Sequence, residues 1–246
     1  MTLRSFSSCF LLAAVASVAP MARGAVITTL SDGDDWTIWR SDATTENRIL
    51  VKNIAGANSN DRIGVAQFSG YSLGPVTAAS VRFDIERTAA SNNFVAGEAI
   101  SLWGVPDLDA NENITQSATW STLTTNGIIL GDDSDGSNNN VMDSALVHLG
   151  TITFAADTSG DVIDFFGPAV TAFVQADTNN LMTFLLTNEG DTNASNTVLF
   201  YNEDSSAIAT EFYPSVMTNA DAVVPEPASL ALCALAVSVL AQRRRR

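Results

Sequence analysis

The one pattern in this chain that suggests nucleophilic catalysis is Gly70-Tyr71-Ser72-Leu73-Gly74. A Gly-x-Ser-x-Gly sequence can hold its serine on a strained turn between a strand and a helix, where a histidine and an acid complete a triad. His148 is the only histidine, and Asp143 lies shortly before it. However, Pro75 follows the motif directly and a strand-like sequence comes next. We therefore predict a hairpin turn at 70–74, a histidine on the face of a strand, and no catalytic residue.

Metal-binding side chains are almost entirely carboxylates. The chain has two cysteines, Cys9 and Cys233, and both lie in the terminal segments discussed below. With one histidine and no cysteine between those segments, a disulfide is excluded and a three-ligand catalytic zinc site of the usual type is strongly disfavoured. Asp132, Asp133 and Asp135 could supply several of the oxygens that calcium requires, but no glutamate follows at the spacing of a calcium loop. We predict either a structural calcium ion there or a solvated turn, and no other cofactor.

Tryptophan side chains are the candidates for contact with sugars, because they offer a flat apolar face and a polar edge. We expect both Trp36 and Trp39 to pack in the core, since a buried tryptophan contributes a large apolar area. The alternative is a stacking platform for a sugar, because the two lie in a polar segment beside Arg40. Trp103 lies in a strand-like sequence, and we expect it in the core.

The elements that would position these residues are short strands. Apolar runs rich in Val, Ile, Thr and Phe recur between clusters of Asn, Asp, Ser and Gly, and residues 81–86 alternate between apolar and charged. One helical pattern begins at Gly167-Pro168 and ends at Ala176. The sequence therefore predicts an all-β, jelly-roll-like β-sandwich with one short helix. The predicted strands are 25–30, 47–52, 62–68, 78–86, 98–105, 146–154, 181–187, 197–201 and 211–217.

The C-terminus has the layout of a sorting segment. Pro225, Glu226 and Pro227 precede a mostly apolar stretch, 228–241, and the chain ends with Arg243, Arg244, Arg245 and Arg246. As a helix this stretch would be about 21 Å long, short of the roughly 30 Å hydrocarbon core of a bilayer, which favours a transient stop over a permanent anchor. The arginines would stay in the cytoplasm while the preceding residues lie outside.

The N-terminus is typical of a secretory signal peptide. Arg4 precedes an apolar stretch at 10–18, and small residues then favour cleavage between Ala22 and Val26. Three regions follow from the two ends: a signal peptide at 1–24, a single β domain at 25–222, and a sorting segment at 223–246.

Without its two ends the chain is strongly acidic. Six basic and 26 acidic residues remain, a formal net charge of −20, and the six lie between Arg40 and Arg87. Such a domain lacks the cations that neutralise phosphates, so nucleic acid is excluded as a partner. An acidic surface also keeps an exported protein soluble.

The C-terminal segment resembles the PEP-CTERM sorting signal of Gram-negative bacteria, in which a Pro-Glu-Pro motif, an apolar helix and an arginine-rich end occur in this order. The resemblance covers 224–246. It implies an exosortase as partner, cleavage near Pro225-Glu226-Pro227, and release or transfer of the mature chain to the cell surface or an extracellular polysaccharide matrix.

The body resembles the DNRLRE-type β-sandwich modules of secreted bacterial proteins, some of which bind acidic polysaccharides. The resemblance implies a β-sandwich and a possible carbohydrate-binding role, although Asp107-Leu108-Asp109 and Tyr201-Asn202-Glu203-Asp204 lack basic residues that the family carries. The similar segments are Asp34-Asp35-Trp36-Thr37, 48–52, 62–68, 78–83, 114–120, 164–174 and 200–214.

We therefore expect an exported, non-catalytic structural protein of the extracellular matrix or cell surface. A carbohydrate-binding module for extracellular polysaccharide is the alternative, and a secreted hydrolase is the third interpretation. The expected partners are an exosortase and the secretion machinery, with transient membrane association through the C-terminal segment.

Overall fold

The computed structural model describes residues 25–28, 35–45, 48–54, 59–86, 99–129, 140–141, 143–154, 162–189, 198–201 and 213–219. The predicted signal peptide, the C-terminal sorting segment with its Pro-Glu-Pro motif and arginines, and the calcium candidates Asp132, Asp133 and Asp135 lie outside these residues. Within the described ranges, no helix combines the length and the hydropathy needed to cross a membrane.

The described part of the chain is mostly β, with few helices. The strands are β1 (Ala25–Thr28), β2 (Asp35–Trp39), β3 (Thr44–Thr45), β4 (Ile49–Val51), β5 (Arg62–Ser69), β6 (Ala79–Asp84), β7 (Ala99–Gly104), β8 (Val147–Thr153), β9 (Val162–Phe166), β10 (Leu181–Asn188), β11 (Val198–Phe200) and β12 (Ser215–Thr218). The α-helices are α1 (Trp120–Thr125) and α2 (Pro168–Ala176), and a 3₁₀ turn covers Asp143–Ala145.

The strands form two main sheets, and the strand pairs within them are antiparallel. One sheet has four strands in the order β1-β12-β6-β9, and the other has six in the order β3-β2-β5-β10-β7-β8. β4 pairs with β11. Single bridges join this pair to both sheets, one between Lys52 and Arg62 and one between Ile85 and Phe200.

The core between the two sheets, here called the inter-sheet core, contains aromatic side chains from both. Phe68 and Phe184 meet edge to face with ring centroids 5.7 Å apart in the six-stranded sheet, and Phe83 and Phe165 do so at 6.4 Å in the four-stranded sheet. α2 adds Val170 and Val174 to the same core. This arrangement is consistent with the predicted β-sandwich.

The strands β2, β5 and β10 of the six-stranded sheet are buried on their other face as well. Successive side chains of a strand point to opposite faces, so Phe184 lies in the inter-sheet core while Leu185 points away from it. There Leu185 joins Trp36 and Val65 under Trp120 and Leu123 of α1. The segment that contains α1 therefore covers the outer face of this sheet.

Every predicted strand overlaps an observed one, and the predicted helix is confirmed as α2 with Pro168 in its first turn. The structure adds β2, β3, β9 and the helix α1, which the sequence analysis did not predict. α1 begins after Thr119, whose hydroxyl accepts a hydrogen bond from the Thr122 N–H at 3.2 Å. Threonine is a good N-cap residue because it satisfies an amide that the helix itself leaves free.

Candidate functional site

Ser72 and His148, two members of the candidate triad, lie in the loop after β5 and on β8, and these strands are not neighbours in the sheet. Ser72 belongs to the loop that runs from β5 of one sheet to β6 of the other with no helix between them, so the predicted hairpin at 70–74 is wrong. His148 lies on an exposed strand face, as predicted, with its ring 4.7 Å from that of Trp103 and Nε2 3.0 Å from Thr151 Oγ1. Two strands separate β5 from β8, a spacing of roughly 14 Å. The described residues thus provide no strand-turn-helix setting for Ser72.

The two candidate stacking residues differ in exposure. Trp36 has no exposed surface and packs in the outer cluster of the six-stranded sheet, so it offers no face to a sugar in this conformation. Trp39 is partly exposed, and the guanidinium carbon of Arg62 lies 3.8 Å from the centroid of its ring. Carbohydrate stacking therefore stays a prediction that concerns Trp39.

Three carboxylates that the sequence analysis did not single out as a site lie together at one end of the six-stranded sheet. Asp107 and Glu112 follow β7, Asp177 follows α2, and ligand oxygens of all three lie within 4.8 Å of one another. Asp107 Oδ2 accepts from Thr178 Oγ1 at 2.6 Å, and Glu112 Oε2 accepts from Asn179 Nδ2 at 2.6 Å. These bonds hold the chain after α2 against the chain after β7. We call Asp107, Glu112 and Asp177 the acidic trio.

A buried glutamine fixes the position of Glu112. Gln67 Nε2, on β5, lies 3.2 Å from the Glu112 carbonyl oxygen, 3.3 Å from that of Ile114 and 2.9 Å from Thr183 Oγ1. The chain around Glu112 and Ile114 is not part of a strand, so its carbonyl oxygens have no partner in a sheet. The bonds from Gln67 satisfy these oxygens, which burial would otherwise leave unpaired. They tie the segment to β5 and β10.

A mainly apolar cavity of about 320 Å³ adjoins the acidic trio. One wall is the face of α2 formed by Ala169, Ala172, Phe173 and Ala176, which recur at helical spacing. The opposite wall contains Pro106, Val147, Leu181 and Met182. α2 therefore has two apolar faces, one in the inter-sheet core and one on this cavity.

Phe173 lies between the cavity and the inter-sheet core, and its ring packs directly on the backbone of Gly104. Its ring lies 5.3 Å from that of Phe184, measured between centroids. A Cβ atom at Gly104 would lie 2.3 Å from Phe173 Cε2, closer than real side chains approach. The bare backbone of Gly104 is thus what allows α2 to sit this close to β7.

Among the described residues, no basic side chain balances the negative charge of the acidic trio. Burial raises the pKa of Glu112, an effect that hydrogen bonds from Asn179 and from the Leu108 N–H oppose and that the charges of Asp107 and Asp177 reinforce. Burial, reinforced chiefly by the nearby Asp177, also raises the pKa of Tyr71. No basic side chain contributes to either shift, and 88–242 contains no lysine or arginine. The trio is therefore a site of concentrated negative potential.

A second, uncharged cleft of about 300 Å³ lies beside α1. Its polar lining consists of amides and hydroxyls, which can donate and accept hydrogen bonds without a net charge. These side chains belong to Asn111, Asn113, Thr115, Ser117, Thr122 and Asn126.

Neither a scan of protein-family models nor a search of curated proteins finds a match for this chain. The two resemblances therefore rest on the residues quoted for them. The acidic trio could not be found by a motif, because its members come from two separate segments. The only sequence signal for it is the long stretch without a basic residue.

Proposed function

We propose that this protein is an exported, non-catalytic component of the cell surface or extracellular matrix, sorted through its C-terminal segment. The observation that carries the proposal is the order of three elements at the C-terminus: Pro225-Glu226-Pro227, the apolar stretch 228–241, and the arginines 243–246. The strongly acidic body agrees with it, because such a surface favours solubility outside the cell.

The fold that we propose for the body, 25–222, is a jelly-roll-like β-sandwich. Two facing sheets share the inter-sheet core, and the β4–β11 pair is bridged to a strand of each sheet. A compact sandwich with an extensive apolar core suits a structural module, since burial of apolar surface is the main contribution to its stability. The loop setting of Ser72, with no helix between β5 and β6, supports a non-catalytic role.

Processing of the C-terminus tests this proposal directly. We expect the domain outside the inner membrane of its host, and intact-mass analysis should find mature protein that ends near Pro225-Glu226-Pro227. Replacing Arg243, Arg244, Arg245 and Arg246 together by Gln should leave unprocessed protein, whereas Gln242→Ala, beside them, should be processed normally. A cytosolic domain, or mature protein that retains 228–246, would overturn the proposal.

Carbohydrate binding is the alternative function, supported by the partly exposed Trp39 and by the uncharged cleft beside α1. A glycan array that includes the host's own extracellular polysaccharide should then show binding that Trp39→Ala removes. Trp36→Ala is the weaker probe, because removal of a core side chain also lowers stability. The absence of binding to any glycan, in a protein that remains folded, would favour the structural role.

A further inference from the structure

We propose that the cavity beside the acidic trio binds a small organic ammonium ion, namely a primary amine carried on a short apolar chain. This ligand class goes beyond the proposed function and does not depend on it. Two independent features of the described residues point to it: an apolar groove that the fold leaves open, and concentrated negative charge at one end of that groove.

The apolar part of the ligand is indicated by α2. A surface helix normally turns its polar side to solvent, but α2 exposes Ala169, Ala172 and Ala176 along the cavity. Small side chains leave room there, and Phe173 and Met182 add apolar surface to the two walls. A volume of about 320 Å³ is at the lower end for ligand pockets, so the occupant is small.

The charged part of the ligand is indicated by the acidic trio. Glu112 is 3% exposed and lies beside two further carboxylates, an arrangement that costs free energy unless a positive charge or a proton is present. Arg40, Arg48 and Arg82 form ion pairs with other acids, and no basic side chain contributes to the raised pKa of Glu112. A cationic ligand therefore complements the charge of this site.

An ammonium group suits the site better than a metal ion does. It has three N–H donors and no acceptor, which matches three carboxylates that surround one point. Calcium takes six to eight oxygen ligands. Here Thr178, Asn179 and the Leu108 N–H already occupy carboxylate oxygens, and the adjoining cavity wall is apolar.

Calorimetric titration of the full chain with n-hexylammonium chloride tests the proposal. We expect saturable binding at one site, with n-hexanol, which has the same chain without the charge, binding at least about tenfold more weakly. Asp177→Asn should weaken amine binding about fivefold to tenfold. Its amide oxygen can still accept the Leu181 N–H, which lies 3.2 Å from Oδ1 in the wild type. Ala172→Leu should abolish binding by filling the groove, and leucine is well tolerated in a helix.

Asp164→Asn is the matched control, because it removes one negative charge from a residue that does not line the cavity. It should leave the affinity unchanged. Equal weakening by Asp164→Asn and Asp177→Asn would mean that the amine is attracted only by the net charge, and the proposal would be overturned. Binding of calcium chloride but not of the amine would overturn it in favour of a metal site. Folded protein that binds neither would also overturn it, while leaving the proposed export untouched.

Discussion

Arg40 Nη1 lies 3.0 Å from Asp61 Oδ2, and the side chains are 9% and 0% exposed. The other oxygen of Asp61 accepts the Ile54 N–H at 2.9 Å, and Arg40 Nη1 also lies 3.3 Å from Asn140 Oδ1. This buried ion pair and its hydrogen bonds thus join the turn after β2 to Ile54, in the segment after β4, and to Asn140. The three places are far apart in the sequence.

Asp61→Ala should therefore be strongly destabilising. It removes the partner of a buried cation and frees the buried Ile54 N–H, so the free energy of unfolding should fall by about 3–5 kcal/mol. Urea denaturation followed by circular dichroism measures this change.

The ion pair between Arg82 and Asp164 provides the control. It has similar geometry, with both N–O distances at 2.9 Å, but its side chains are 37% and 35% exposed. Solvent screens an exposed pair, so Asp164→Ala should cost only about 0–1 kcal/mol. A similar loss in both variants would contradict the prediction.

Gly104→Ala should destabilise the protein by pushing α2 away from β7. The new Cβ would lie 2.3 Å from the ring of Phe173, and overpacking of this kind costs about 1–3 kcal/mol. Gly74→Ala should be nearly neutral, because nothing lies within 4 Å of a Cβ there. Thermal denaturation would show the difference, and Gly104→Ala should cost less in a Phe173→Ala background than in the wild type, because the clashing ring is then absent.

Thr37→Val tests the link between β2 and β4. The buried Thr37 hydroxyl donates to the Arg48 carbonyl at 2.9 Å and accepts the Leu50 N–H at 2.6 Å. Valine has the same shape but leaves both groups unpaired, so we expect a loss of about 1–3 kcal/mol in unfolding free energy. Thr125→Val, at an exposed hydroxyl of α1, should change stability by less than about 0.5 kcal/mol. Equal losses of unfolding free energy in Thr37→Val and Thr125→Val would contradict the prediction, because the buried and the exposed hydroxyl would then contribute alike.

The strands that were not predicted show where the alternation of apolar and polar residues fails to indicate a strand. β6 alternates between buried residues and the partly exposed Ser80 and Arg82, so its sequence pattern predicted it well. β2 lies between β3 and β5, and Asp35, Trp36, Thr37 and Ile38 are all fully buried. A strand buried on both faces need not alternate, and its polar residues made it resemble a loop.

The candidate site was missed for a different reason. Asp107, Glu112 and Asp177 come together because β7 pairs with β10, with Gly104 opposite Phe184, and because α2 ends beside the start of β10. Strand pairing between distant segments leaves no local spacing to detect. The stretch without basic residues was visible in the sequence, but it indicated a surface property and not a place.

The buried carboxyl of Glu112 predicts a pH dependence of stability. Burial raises the pKa of Glu112 above its ordinary value of 4.5, so the folded protein holds this proton more tightly than the unfolded chain does. The resulting stabilisation is fully present below about pH 4.5 and is lost as the pH rises through the raised pKa. Glu112→Gln mimics the protonated acid, so the variant should gain stability relative to the wild type across that interval.

Asp42 gives the opposite sign and serves as the comparison. Hydrogen bonds from the side chain and the backbone of Ser121 lower the pKa of Asp42 below 3.8. The ionised Asp42 carboxylate therefore stabilises the folded protein above about pH 3.8, and this stabilisation is lost as the pH falls through the lowered pKa. Asp42→Asn lacks this stabilisation, so it should become less stable than the wild type as the pH is raised from acid values. Urea denaturation of the three proteins between about pH 3 and 8 would separate the two slopes. A difference in unfolding free energy between Glu112→Gln and the wild type that is the same at every pH would contradict the prediction. It would mean that Glu112 has the same pKa in the folded and the unfolded protein, so that burial does not raise it.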